Sequence, residues 1–264
     1  MNSTSASPPD IQTTFGVLYI STLICMVLIG ITTLQAWFYF LNHPDDRIAT
    51  KLTVAVVWCT ECIRCAFLAH ASYYYVVWGW GNPTALFSPT WSMATLPLMT
   101  NIGEMIVQLY FAWRVCILSR GTFFRWILTF SIVAPSVCFF SMGIAVYTLG
   151  LNSISWADYI DGSQKTLTPA TLSVSMATNL LIMLSLIFLL RRFKPELPRT
   201  HHIINTLMFY TIQAGALIVV VDAAVIALDT YIKNVGFAYI GLFSMQGNRT
   251  VCEFIVSQVR SFVR

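Results

Sequence analysis

Seven stretches, each long enough to cross a bilayer as a helix, take up most of this chain and leave it few folds to choose from. They run over residues 14–40, 52–77, 91–117, 124–150, 168–190, 203–228 and 235–258. A hydrocarbon core about 30 Å thick needs roughly 20 apolar residues in a helix that rises about 1.5 Å per residue. The seventh stretch is the most broken, by Gln246, Gly247, Asn248, Arg249 and Glu253. Inside lipid the backbone finds no water, so its N–H and C=O groups must pair within the segment, as they do in a helix. The expected fold is therefore all-α: an integral membrane bundle of seven transmembrane helices. Composition agrees, because 57% of the 264 residues are hydrophobic, 10% are charged and the mean hydropathy is +0.71. A soluble domain carries about 25% charged residues. The connections are short and no polar linker divides them, which predicts an outer tail over 1–13, one transmembrane domain over 14–258 and a cytoplasmic tail over 259–264.

Basic residues near span ends set the orientation, because cytoplasmic loops collect Lys and Arg. On one side lie Arg47, Lys51, Arg114, Arg120, Arg125, Arg191, Arg192, Lys194, Arg199, Arg260 and Arg264; on the other, only Lys165 and Lys233. The N-terminus is expected outside or in a lumen and the C-terminus in the cytoplasm, in a plasma membrane or an endomembrane. These anchors account for the net charge of +4 and leave no basic patch for nucleic acid, so the expected partner is the lipid bilayer, with a cytoplasmic partner at the basic loops. The first span follows no basic n-region and exceeds a signal-peptide core, so it is expected to stay in the mature protein. Asn2-Ser3-Thr4 is a glycosylation sequon on the outer tail.

Ionisable residues inside such spans persist mainly where they are paired or line a cavity, so they carry the functional information. In span two, Glu61 and Arg64 are three residues apart, share a helix face and lie near midplane. His70 is half a turn off that face and nearer the outer interface, as expected of a hydrogen-bonded structural histidine. Span three carries a polar stripe, Asn101, Glu104 and Gln108, at a depth comparable with Glu61 and Arg64. If the two faces meet, Arg64 sits between two carboxylates. Pro97, about one turn above the stripe, is placed to kink the helix and open a cavity. Span five aligns Thr171, Ser175, Thr178, Asn179 and Ser185, small polar residues that suit close helix packing. Span six holds Asp222 in its outer half without an evident partner, and span seven holds Arg249 and Glu253, four residues apart. The expected structural charge cluster is Glu61, Arg64, Glu104, Arg249 and Glu253. The candidate ligand-binding residues are Asp222, His70, Glu104 and Gln108.

All seven cysteines fall within spans, so no outer disulfide framework is expected. Cys59, Cys62 and Cys65 have metal-like spacing, but a continuous helix spreads them round its axis, and neither a metal nor a cofactor is expected. Tyr73, Tyr74, Tyr75, Trp78, Trp80 and Trp91 read as an interfacial aromatic belt. A retinal protein needs a lysine deep in its last span, whereas the nearest, Lys233, lies at the outer boundary. A rhodopsin-like receptor normally shows Asn-Pro in span seven, which here has no proline. Haem transport needs paired axial histidines, yet His43, His201 and His202 lie at cytoplasmic ends.

Four blocks of residues carry a resemblance. They are Thr33-Leu34-Gln35-Ala36-Trp37-Phe38-Tyr39-Phe40 with Pro44-Asp45-Asp46-Arg47, then Ala69-His70-Ala71-Ser72-Tyr73-Tyr74-Tyr75 with Gly81-Asn82-Pro83. The third is Gln108-Leu109-Tyr110-Phe111-Ala112-Trp113-Arg114-Val115-Cys116-Ile117-Leu118-Ser119, and the fourth runs from Arg199-Thr200 through Ile204-Asn205 to Phe209-Tyr210-Thr211-Ile212-Gln213-Ala214-Gly215. Together they resemble a family of seven-span proteins from mushroom-forming fungi whose C-terminal half is a domain of unknown function. The resemblance implies the seven-span fold and an outward N-terminus, and no activity. The chain departs from that pattern at Gly247-Asn248-Arg249-Thr250-Val251-Cys252 and at Asp222. The first functional expectation is a receptor-like heptahelical protein that binds a small lipophilic ligand in an outer cavity. The alternative is a membrane-embedded enzyme acting on a terpenoid-type substrate, with Glu61, Glu104 or Asp222 as the catalytic general acid. A proton-coupled transporter using the same acids is the third, without the internal repeat such folds usually show.

Overall fold

Each apolar stretch that can be described folds as one long helix. The computed structural model describes residues 11–44, 48–79, 89–119, 125–153 and 164–193, with residues 220, 223 and 224. Five helices follow in order: α1 (Ile11–Asn42), α2 (Ile48–Tyr73, continued by a π-helical turn over Tyr74–Trp78), α3 (Trp91–Leu118), α4 (Arg125–Asn152) and α5 (Gln164–Phe193). Each matches the span expected over the same residues to within four residues at either end, α4 starting one residue later than expected and most other ends reaching further. Spans six and seven lie outside the described residues, apart from the three isolated positions.

Four of the helices are long and apolar enough to cross a membrane, over Leu18–Asn42, Ile48–Trp78, Arg125–Asn152 and Thr166–Leu189. The chain is thus an all-helical protein of multi-pass membrane type. Helix α3 is not among the four, and its position explains why. It packs against α2, α4 and α5 at once, so it can carry polar residues that a lipid-facing helix cannot. By contrast α1 and α4 turn Trp37, Phe38, Trp126 and Phe130 outward.

Cross-helix contacts give the direction of each element. Thr22 meets Ser72 (Oγ1–Oγ, 2.6 Å) while Trp58 donates to Thr33 (3.1 Å), so α1 and α2 are antiparallel. His70 meets Ser92 at 3.0 Å and Gly103 faces Thr60, so α2 and α3 are antiparallel as well. Asn101 packs on Gly143 and Cys116 accepts from Arg125, which reverses α4 against α3. Gln108 reaches Asn179 and Glu104 reaches Ser175, numbers that rise together, so α3 and α5 run parallel. This up-down alternation is what short connections between membrane-crossing helices require.

Three apolar clusters organise the interior. Leu18, Cys25, Leu68, Ala71, Tyr75, Met93 and Leu96 join α1, α2 and α3 at one end. Ala36, Tyr39, Val54, Val57 and Val107 join the same helices at the other. Ala112, Val115, Ile132, Ile182, Leu186 and Leu189 join α3, α4 and α5. Between the first two lies the level of Glu61, Arg64 and Glu104.

Close approach of α3 to α4 depends on Gly143, where an added Cβ would stand 1.9 Å from Asn101 Nδ2 and 2.6 Å from its Cγ. At Gly103 the nearest atom to such a Cβ is Thr60 Cγ2 at 3.8 Å, an ordinary contact. Gly143→Ala is therefore expected to destabilise by about 1–3 kcal/mol through overpacking. Gly103→Ala should be neutral, or stabilising by up to about 1 kcal/mol from helix propensity. Thermal unfolding of the two variants in detergent checks the contrast.

Candidate functional site

The polar interior is built from two helix faces that do not converge on one point. On α2, the (i, i+3) spacing stacks Arg64 over Glu61, and the guanidinium grips the carboxylate as a fork. Arg64 Nε donates to both Glu61 oxygens at 3.0 Å, and Nη2 donates to Oε1 at 2.5 Å. Both residues are almost fully enclosed, Arg64 at 1% exposure and Glu61 at 3%. Arg64 Nη1 is buried and has no hydrogen-bond partner among the described residues.

Glu104 belongs to a different group. Its Oε1 accepts from Ser175 Oγ, from Asn179 Nδ2 at 3.0 Å and from Gln108 Nε2 at 3.3 Å. Gln108 Nε2 also donates to Asn179 Oδ1 at 3.4 Å, which closes a ring of side chains between α3 and α5. Every donor is neutral. Among the described residues the ion pair is Glu61–Arg64, and Glu104 is outside ion-pair distance of any cationic side chain. An arginine set between two carboxylates is thus not what forms: Glu104 and Gln108 of the α3 stripe face α5 and Asn101 packs on α4, while the Glu61–Arg64 face is a separate enclosure. Gln108, 1% exposed, keeps its Oε1 buried and, among the described residues, without a hydrogen-bond partner.

The remaining candidates separate by position. His70 is an exposed ring whose Nδ1 meets Ser92 Oγ at 3.0 Å and which lies 5.2 Å from the Trp91 ring, tying α2 to the start of α3. Asp222, Arg249 and Glu253 lie outside the described residues, as does Trp80. Tyr73, Trp78 and Trp91 are exposed apolar rings, as a belt requires, but Tyr75 turns inward. Its phenolic oxygen accepts from Thr90 N at 2.7 Å and pairs with Thr90 Oγ1 at 2.6 Å, so Tyr75 pins the entrance to α3. Spacings of seven, four and three from the buried residues Leu68, Ala71 and Ser72 set Tyr75 on the core face of α2, at the start of the π-helical turn. Cys59 is exposed, Cys62 half-buried and Cys65 buried, three environments round one helix.

Ser175 and Asn179 are the residues that sequence reasoning missed as site members. Their signal was present in the spacing: span five repeats polar residues at three and four, as span three does, and two parallel helices with matched ladders can pair rung by rung.

One comparison bears on this region. Residues 175–257 match a family of unknown function, DUF6534. The matched segment opens at Ser175 and includes Asn179, so it supplies the α5 side of the Glu104 ring, while Glu104 and Gln108 precede it. No curated protein and no solved structure matches the chain.

Proposed function

We propose that the chain is a seven-span membrane protein with its N-terminus outside, of the fungal type whose sequence blocks it shares, and that it binds a small lipophilic ligand in the manner of a receptor. The observation that carries this reading is Arg64 Nη1, a donor enclosed in the bundle that has nothing to donate to among the described residues. A buried polar group left unsatisfied costs about 1–3 kcal/mol, and a ligand acceptor placed there recovers that cost. Glu61 already neutralises the guanidinium, so an anion would bring uncompensated charge to the membrane interior. The fitting ligand is neutral, with a carbonyl or hydroxyl oxygen on an apolar body. His70 and, on the sequence argument, Asp222 border its outer approach, and the basic cytoplasmic ends of the helices supply the surface for a partner.

The acid-catalysis alternative is weakened at one of its residues. Glu61 already accepts three N–H···O contacts from Arg64, so that alternative would rest on Glu104 or Asp222. A transporter finds no support in a repeat.

Thermal unfolding of the full chain in detergent, against a panel of long-chain alcohols, ketones and sterols, tests the reading. At about 100 times its dissociation constant a true ligand adds about 2.7 kcal/mol, or roughly 5–10 °C. Arg64→Lys keeps a charge beside Glu61 and removes the Nη1 branch, so the shift should collapse in that variant. A panel without effect, or one equally effective on Arg64→Lys, overturns the reading.

A further inference from the structure

We propose that the outward face of α2 around His70 is a binding site for a sterol, a membrane lipid with one hydroxyl on a rigid ring body. This goes beyond the ligand reading, because His70 lies on the face of α2 opposite Glu61 and the site takes nothing from the interior. Val56, Ile63, Ala66, His70, Tyr73 and Val77 follow one another at helical spacings of seven, three, four, three and four, and all are exposed. They form a single line down the side that α2 turns away from the bundle. Every member is apolar or aromatic except the imidazole. An ionisable ring inside a span usually faces protein or a water-filled cavity, so its place in a lipid-facing line calls for a partner that arrives from the membrane.

The ring is held ready for one. His70 Nδ1 meets Ser92 Oγ at 3.0 Å and Ser92 is fully buried, so the exposed edge of the ring is the one that carries Nε2. Trp91, itself exposed, stands 5.2 Å from the imidazole at 42° and is braced edge-on by Phe67 at 5.6 Å. Nε2 therefore opens beside a fixed indole. Toward midplane, Ala66 and Ile63 lie about 6 Å and 10 Å below His70 along the axis. Ala66 carries only a methyl, so the line is lowest directly beneath the imidazole, where a flat body can lie.

Depth, hydrogen bonding and charge select the occupant. The imidazole is about 12 Å below the end of α2 at Trp78, under the exposed rings of Tyr73 and Trp78 that mark the interface. That is the level of a hydroxyl set beneath the headgroups rather than of a phosphate. A hydroxyl both donates and accepts, so it pairs with Nε2 in either tautomer of the ring. A rigid ring system loses less freedom on such a surface than a flexible acyl chain does. In sequence this end of the bundle carries only Lys165 and Lys233, which gives an anionic headgroup little to pair with.

Thermal unfolding of the purified full chain in detergent, titrated with cholesterol and with cholestene, the same ring system without the hydroxyl, tests the site. Cholesterol at about ten times its dissociation constant raises the midpoint by about 3–6 °C. Loss of one hydrogen bond should make cholestene bind about 2–12-fold more weakly. His70→Phe keeps a ring against Trp91 and removes both nitrogens, so it should bind the two sterols alike, at the cholestene level. Arg64→Lys should leave the preference for cholesterol intact, while the interior reading is judged on the long-chain alcohols and ketones, so the two can fail separately. Equal binding of the two sterols to the wild type overturns the site, as does a preference that survives His70→Phe or one that Arg64→Lys alone removes. A dimer that His70→Phe dissociates, with no sterol response in either protein, would assign the face to a second copy and overturn it as well.

Discussion

Arg64→Met is expected to destabilise the protein by about 3–5 kcal/mol, and Glu61→Gln by a similar amount, while the double variant recovers most of the loss. Each single change leaves one buried charge in an enclosure built for two. The Glu61 carboxylate takes Arg64 contacts on both oxygens, with a thiol contact from Cys65 at 4.0 Å beside them, and among the described residues no second cation is within reach to replace Arg64. Removing both charges removes the penalty along with the attraction, because the apolar layers on either side, with Val57 and Leu68 nearest in sequence on α2, accept a methionine of similar length. Chemical unfolding of the four proteins in detergent gives the coupling energy directly. Additive losses in the double variant would mean that Arg64 and Glu61 are not each other's counter-charge.

Much of this interior was legible in the sequence, and the part that was not has a geometric cause. Periodicity tells which residues share a face of one helix, so the Glu61–Arg64 pair and the Asn101, Glu104, Gln108 stripe follow from spacing alone. Depth follows from the rise per residue, and the contact between Thr60 and Gly103 places α2 and α3 at the level expected. What spacing cannot supply is the rotation of each helix about its axis relative to its neighbours. Glu104 was expected beside Arg64, yet α3 is turned so that Glu104 and Gln108 meet α5, where Ser175 and Asn179 provide partners with no charge.

Tyr75 illustrates a second blind spot. It belongs by sequence to a run of three tyrosines expected as an interfacial belt. Its spacing from Leu68, Ala71 and Ser72 instead places it on the buried face of α2, so one tyrosine of the three is buried while Tyr73 stays exposed. Aromatic composition alone does not show which ring falls on that face.

Because the two glutamates sit at one depth in different surroundings, the same substitution should act on them in opposite senses. Glu104→Gln is expected within about 1 kcal/mol of the wild type or above it. The amide retains an oxygen for Ser175, Asn179 and Gln108 and discards a charge that, among the described residues, no cation within ion-pair distance offsets, so the exchange removes little that holds α3 to α5. Asn179→Leu separates the contributions further. In the wild type it breaks a hydrogen bond to a charged group, at a cost of about 1.5–3 kcal/mol; in the Glu104→Gln background the same bond joins neutral groups and its loss costs about 0.5–1.5 kcal/mol. A coupling of roughly 1 kcal/mol between positions 104 and 179 is the expected outcome of the cycle. A Glu104→Gln loss as large as that of Glu61→Gln would show that Glu104 holds a counter-charge of its own, and the separation of the interior into an ionic enclosure on α2 and a neutral ring between α3 and α5 would fail.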